Sequence, residues 1–188
     1  MTTIPDLIEN AVKKFQDQEA VVDENLRWTF KEYGEQINSA TKAFISKGIK
    51  PGDRIAIWAP NAAEWPVAAL GAHCAGAVLV PINTRFKGEE ASYILSRTSA
   101  KILFTVTDFL DTNYVDLLEN KISQLDLEEI VVFKGSTPSN CTTWKEFISS
   151  GNSIAEIDRK NRSNAVTDND LCHILFTSGT TGKPKGVM

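Results

Sequence analysis

Residues that staple or metallate a protein are scarce here: the 188-residue chain holds three cysteines and two histidines. Cys74, Cys141 and Cys172 are odd in number and widely spaced. That excludes a complete disulfide framework and any CxxC zinc spacing. The neighbours His73-Cys74 and Cys172-His173 read as ordinary core positions, with no metal expected. Adjacent residues on a strand point to opposite faces, so the second pair would turn one ligand inward. Long hydrophobic runs are missing as well. The least polar stretch, 67–82, is broken by Gly71, His73, Gly76 and Pro81, and is shorter than the ~20 apolar residues of a membrane span. No charged-then-apolar leader opens the chain, so the sequence predicts a cytoplasmic protein without a membrane span. An excess of positive charge is also absent: the formal net charge is −4, which excludes the electrostatic footprint of a nucleic-acid binder. The densest basic run, Arg159-Lys160-Asn161-Arg162, reads as a solvated loop.

What is present is the composition of a globular protein, 42% hydrophobic and 23% charged, enough for one ordinary domain or part of a larger one. Ile4, Leu7, Ile8, Ala11, Val12 and Phe15 recur at helical spacing. Two short strands at 20–22 and 26–28 follow, with a turn at 23–25. Thr29 and Glu32 form a T-x-x-E capping box, in which each side chain satisfies a backbone N–H at a helix start. Behind it Phe30, Tyr33, Ile37, Ala40 and Phe44 make one apolar stripe, and Gly48 and Pro51 stop the helix.

Strands and helices then alternate. Strands are expected at 54–58, 77–82, 101–106 and 129–133, with helices at 61–75, 88–97 and 113–125. Helices between successive strands imply right-handed crossovers and a parallel sheet, so the fold class is α/β, with parallel-sheet layers and flanking helices. The segment 135–170, rich in Ser, Asn, Thr and Asp, reads as a surface connection with one short amphipathic piece around Trp144, Phe147 and Ile148. Two parts follow from this reading: an α/β portion, 1–170, and a strand with a loop, 171–188.

That loop carries the chemistry. It reads Thr177-Ser178-Gly179-Thr180-Thr181-Gly182-Lys183-Pro184-Lys185-Gly186-Val187. Glycines permit positive φ and close approach of backbone N–H groups to an anion, and successive N–H groups form a nest. The hydroxyls of Thr177, Ser178, Thr180 and Thr181 add neutral donors, and Lys183 and Lys185 add charge. A Walker A loop is excluded, because Thr177 stands where its first glycine belongs and Pro184 where its Ser/Thr belongs. The G-x-G-x-x-G dinucleotide fingerprint fails for want of a third glycine at the right spacing. Composition alone leaves two readings open, a phosphate cradle and a Gly/Thr hairpin without a ligand.

The run from Ile174 through Val187 resembles the signature loop of the adenylate-forming (AMP-binding) enzymes. The segment Gly76-Ala77-Val78-Leu79-Val80-Pro81-Ile82-Asn83-Thr84-Arg85 resembles a second block of that superfamily. Asp53-Arg54-Ile55-Ala56-Ile57 and Trp28-Thr29-Phe30-Lys31-Glu32-Tyr33 fit its opening pattern, so the likeness spans nearly the whole chain in order. The wording of Asn83-Thr84-Arg85-Phe86 is most similar to acyl-CoA ligases acting on fatty acids and related aliphatic or ring-bearing acids.

The resemblance implies the N-terminal part of a large adenylation domain that joins a small-molecule carboxylic acid to ATP and then to CoA, with Mg²⁺. Thr177, Ser178, Gly179, Thr180, Thr181, Gly182, Lys183 and Lys185 would hold the ATP phosphates. The family's adenine pocket, acidic magnesium ligand and C-terminal catalytic lysine would follow Met188, so catalytic residues are expected downstream. The loop would then lack a return strand and be poorly ordered. The alternative is a non-catalytic piece with weak phosphate affinity. Asn83 and Arg85, just after a buried strand, could line a binding cleft; the favoured reading is structural, a helix cap or a pairing with Glu89 or Glu90. Neither the identity of the acid nor homo-oligomer formation is written in these motifs.

Overall fold

The computed structural model describes residues 2–24, 26–177 and 184–188. Two compact units share the chain. One comprises Met1–Gly52, Asn61–Ala77 and Phe147–Asp170, the other Asp53–Pro60, Val78–Glu146 and Leu171–Met188.

The first unit is mostly helical. Helix α1 (Ile4–Phe15) carries a capping box between Thr3 and Asp6. Strands β1 (Glu19–Asp23) and β2 (Leu26–Thr29) form an antiparallel hairpin. Helix α2 (Phe30–Ser46) begins at the expected box: the Glu32 amide donates to Thr29 Oγ1 at 3.2 Å, and the Thr29 amide donates to Glu32 Oε2 at 2.8 Å. Its buried stripe includes Ile37, Ala40 and Phe44, and Gly48 follows with φ 75°. Helix α3 (Glu64–Cys74) starts later than the sequence suggests, because the residues before it are held by Asp23, whose carboxylate accepts from the Ala63 amide. It packs on α2 through small residues: a Cβ on Gly71 would fall 2.6 Å from that of Ala40.

The expected surface connection contains a helix that sequence reasoning missed, α6 (Glu156–Asn164). Its face is polar, and it is held by polar contacts. Arg162 Nη1 donates to the carbonyls of Ile49 (2.7 Å) and Ala75 (3.3 Å), and Ser163 Oγ donates to that of Cys74 (3.0 Å). The basic run is therefore not a solvated loop: Arg159 pairs with Glu156 and Arg162 with buried backbone. Helix α5 (Trp144–Ser150) gives this unit Phe147, packed edge-on against Phe44 with ring centroids 5.1 Å apart.

The second unit is a parallel sheet. Strands β3 (Arg54–Trp58), β4 (Val78–Pro81), β5 (Ile102–Thr105), β6 (Glu129–Val132) and β7 (Thr142–Thr143) lie in the order β4-β3-β5-β6-β7. Every pairing is parallel. Ile55, Ala56, Ile57, Trp58, Ile102, Leu103 and Phe104 are buried, the continuous apolar reading of strands covered on both faces. Helix α4 (Gly88–Thr98) stands between β4 and β5 in the chain.

The helix expected at 113–125 is not formed. Two single 3-10 turns, Asp116–Leu118 and Ile122–Gln124, replace it. Asn113 Oδ1 binds the Val115 amide, and the Leu117 carbonyl lies against Gly88, where a Cβ would meet its oxygen at 2.0 Å. A regular helix would turn that carbonyl into its own ladder.

Candidate functional site

The loop is reached through the edge of the sheet. Leu79 of β4 donates its amide to the Cys172 carbonyl (3.0 Å) and accepts from the Ile174 amide (2.9 Å), a parallel bridge that runs residues 172–174 in the direction of β4. Strand β8 (Leu175–Thr177) continues that path and pairs antiparallel with β9 (Lys185–Val187), in the register Leu175↔Val187, Phe176↔Gly186 and Thr177↔Lys185. The expected absence of a return strand is thus corrected: residues 185–187 supply it.

Alternation along a strand divides this hairpin into two faces. Leu175, Thr177, Lys185 and Val187 share one, and Ile174, Phe176 and Gly186 the other. Thr177 and Lys185, far apart as letters in the motif, stand directly opposite each other, both exposed, where the loop begins and ends. Ser178, Gly179, Thr180, Thr181, Gly182 and Lys183, and with them the expectation of a poorly ordered loop, lie outside the described residues.

Gly186 corrects one element of the sequence reading. It is a strand residue without a positive φ, and an added Cβ would lie 3.2 Å from both Phe176 Cζ and Ile174 Cγ2. The close approach of the Phe176 ring and Ile174 to this exposed position, rather than backbone freedom, is what favours glycine there. The assumption that Cys172 and His173 point apart is corrected too. Residues 172–174 make a bridge instead of a regular strand, and Cys172 Sγ lies 2.9 Å from His173 Nδ1. Burial raises the thiol pKa and lowers that of the imidazole, so both are neutral partners at pH 7 rather than an activated thiolate pair.

In a sheet of this order ligands favour the crevice beyond the strand carboxyl ends, at the point between β3 and β5 where the connections diverge. Here the protein's own side chains occupy the position beyond β3. Trp58 is fully buried and stacks on Tyr114 at 4.4 Å. Its Nε1 donates to the Asn83 carbonyl (3.2 Å), and Tyr114 Oη donates to the Thr84 carbonyl (2.9 Å). Asn83 Oδ1 accepts from the Arg85 amide at 2.9 Å, so Asn83 shapes the turn after β4. Arg85 is exposed. Its expected partners are otherwise engaged, Glu89 with Lys121 and Glu90 with the Lys87 amide.

Leu79, which anchors the hairpin, and Phe176, which stands against Gly186, were not singled out from sequence. An aromatic residue across from a strand glycine is the signal that could have found the second.

This architecture has close counterparts. Over its whole length the chain is 37% identical to a 3-(7a-methyl-1,5-dioxo-octahydro-1H-inden-4-yl)propanoyl:CoA ligase of Rhodococcus jostii, and 37% identical to the protein of the same name in Mycobacterium tuberculosis. It spans 37% and 36% of the length of those two proteins. Among solved structures, that of the anthranilate CoA ligase AuaEII in complex with anthranoyl-AMP superposes with a TM-score of 0.83 at 25% identity, covering 98% of this chain and 34% of that one. The model of the AMP-binding enzyme family matches residues 8–188, the parallel sheet and the hairpin included. By that match, the chain is a member of the AMP-binding enzyme family.

Proposed function

We propose that this chain is the front part of an ATP-dependent acyl-CoA ligase and that its β8–β9 hairpin handles the ATP phosphates. A carboxylate is a poor acyl donor. In the proposed reaction its oxygen attacks the α-phosphorus of ATP and the bond to the β-phosphate oxygen breaks, so that pyrophosphate leaves with the electron pair. The CoA thiol then displaces AMP from the acyl-adenylate, losing its proton. Thr177, Ser178, Gly179, Thr180, Thr181 and Gly182 bind the β- and γ-phosphates through hydroxyl and backbone N–H groups, and Lys183 and Lys185 offset charge as pyrophosphate departs.

The observation that carries this reading is the Thr177↔Lys185 pairing, which sets a hydroxyl and an ammonium across the mouth of a loop rich in glycine and threonine. These donors suit an anion. Residues 177–187 contain no carboxylate, so a Mg²⁺ ion accompanying the phosphates would find only hydroxyl side-chain ligands here and would need its acidic ligand from outside the hairpin. The acid is proposed to be aliphatic or ring-bearing and the setting cytoplasmic fatty-acid metabolism. The ring-bearing propanoyl group in the name of the Rhodococcus ligase supports the first part. Among the described residues no helix is long and apolar enough to cross a membrane.

The test offers a panel of such acids, with ATP and CoA, to the protein in its native length and follows AMP, pyrophosphate and the thioester. Acid-dependent release of all three is expected. ATP turnover without any acid dependence would overturn the reading. The chain spans little more than a third of its named relatives, which favours a second outcome for the 188 residues alone: weak ATP binding without turnover.

A further inference from the structure

We infer that Phe176 is a positioning residue for the phosphate loop, acting through the space left by Gly186; this rests on the reading of the hairpin as the phosphate site. Strand β9 meets β8 over three residue pairs, a ladder short enough for its register to be weakly specified by backbone bonds alone. A slip of one residue would turn Lys185 to the opposite face and separate it from Thr177. A side-chain contact can pin the register, and on one face Ile174 and Phe176 stand against Gly186, which stays exposed. A Cβ at 186 would stand 3.2 Å from Phe176 Cζ, 3.4 Å from its Cε2 and 3.2 Å from Ile174 Cγ2.

Gly186 has no left-handed backbone angle to explain it. The Phe176 ring lies across the strand beside its bare backbone, the way aromatic residues stabilise strand glycines. One strand is also fixed in place. The two Leu79 hydrogen bonds tie residues 172–174 to β4, so Phe176 is held on an anchored strand and β9 is aligned against it. The other face, with Leu175 opposite Val187 and Thr177 opposite Lys185, is exposed and has no comparable interlock among the described residues. Phe176 touches no phosphate in this scheme. It sets which residue of β9 faces Thr177.

The test is a double-mutant cycle in the protein at its native length, read as KM for ATP, KM for the acid and kcat. Each single variant, Phe176→Ala and Gly186→Ala, is expected to raise KM for ATP about threefold to fivefold, the size of one cross-strand pair, with KM for the acid unchanged. Phe176→Tyr, which keeps the ring, should restore the wild-type value. In the Phe176→Ala background, Gly186→Ala should add less than it does in wild type, because the two ring contacts are gone and the Ile174 Cγ2 contact alone remains. Amide exchange across 175–177 and 185–187 gives a readout independent of activity, and Phe176→Ala should speed it where Phe176→Tyr does not. If wild-type protein shows no acid-dependent turnover, the ligase reading fails, and the exchange data still decide the clamp. Two substitutions that multiply independently, or exchange unchanged by Phe176→Ala, would overturn the inference.

Discussion

The Asp23 carboxylate accepts a 2.8 Å hydrogen bond from the Ala63 amide, so the last residue of β1 caps a helix that starts forty positions later in the chain. Helix α3 has no side-chain cap of its own, and the contact ties the β1–β2 hairpin to it. Asp23→Ala is expected to cost ~1 kcal/mol, the usual worth of an N-cap. For a chain of this size that lowers the melting temperature by about 2–4 °C. Asp23→Asn keeps an acceptor and should melt within about 1 °C of wild type.

The local cap of α2 gives a parallel case. Thr29→Ala removes the acceptor for the Glu32 amide and leaves Glu32 with half of the box. A loss of ~1 kcal/mol is expected. A thermal melt indistinguishable from wild type would show that the box contributes nothing to stability.

Glu156 supplies a pH signature. The hydrogen bond from Arg159, helped by Lys42, holds its carboxyl down to about 2. A carboxyl depressed in the folded state stabilises the fold above its unfolded pKa and loses that contribution as pH falls through the folded one. The melting-temperature gap between wild type and Glu156→Gln should be constant at neutral pH and close between about pH 4.5 and about pH 2. The group is largely exposed, so the gap corresponds to about 1 kcal/mol or less. A gap that widens on acidification contradicts this sign.

Arg162 ties α6 to the buried carbonyls of Ile49 and Ala75, 113 and 87 residues away in the chain. Arg162→Ala orphans both acceptors and should cost about 1–3 kcal/mol. Surface Lys160→Ala on the same helix is the control, expected within about 0.5 kcal/mol of wild type.

The contrast between Thr29 and Arg162 explains what could be read from the letters. The Thr29–Glu32 box is local, and β3 is a run of adjacent apolar residues, so both were legible with their boundaries. Helix α6 was not, because Arg162 finds Ile49 a full 113 residues away, and no apolar stripe announces a helix held by polar contacts. Its one local sign was Glu156 three residues before Arg159, at helical pairing distance. The segment 113–125 failed in the other direction. Its apolar spacing is helical, but the Leu117 carbonyl packs on Gly88 and Tyr114 is drawn onto Trp58.

The candidate site divides in the same way. Thr177 and Lys185 were legible as donors from the loop's chemistry, yet their confrontation depends on a strand register that no motif states. Gly186 was legible as a required glycine and misread as a flexible one, since the ring that needs its space belongs to the opposing strand.

The most direct test of the hairpin's role is acid-dependent ATP–pyrophosphate exchange by the protein at its native length, comparing wild type with Lys185→Ala. Exchange is expected to slow, by less than the roughly 10²–10³-fold lost with a preorganised oxyanion donor, because Lys185 is exposed to water. Exchange at the wild-type rate would contradict the account and remove Lys185 from the handling of pyrophosphate.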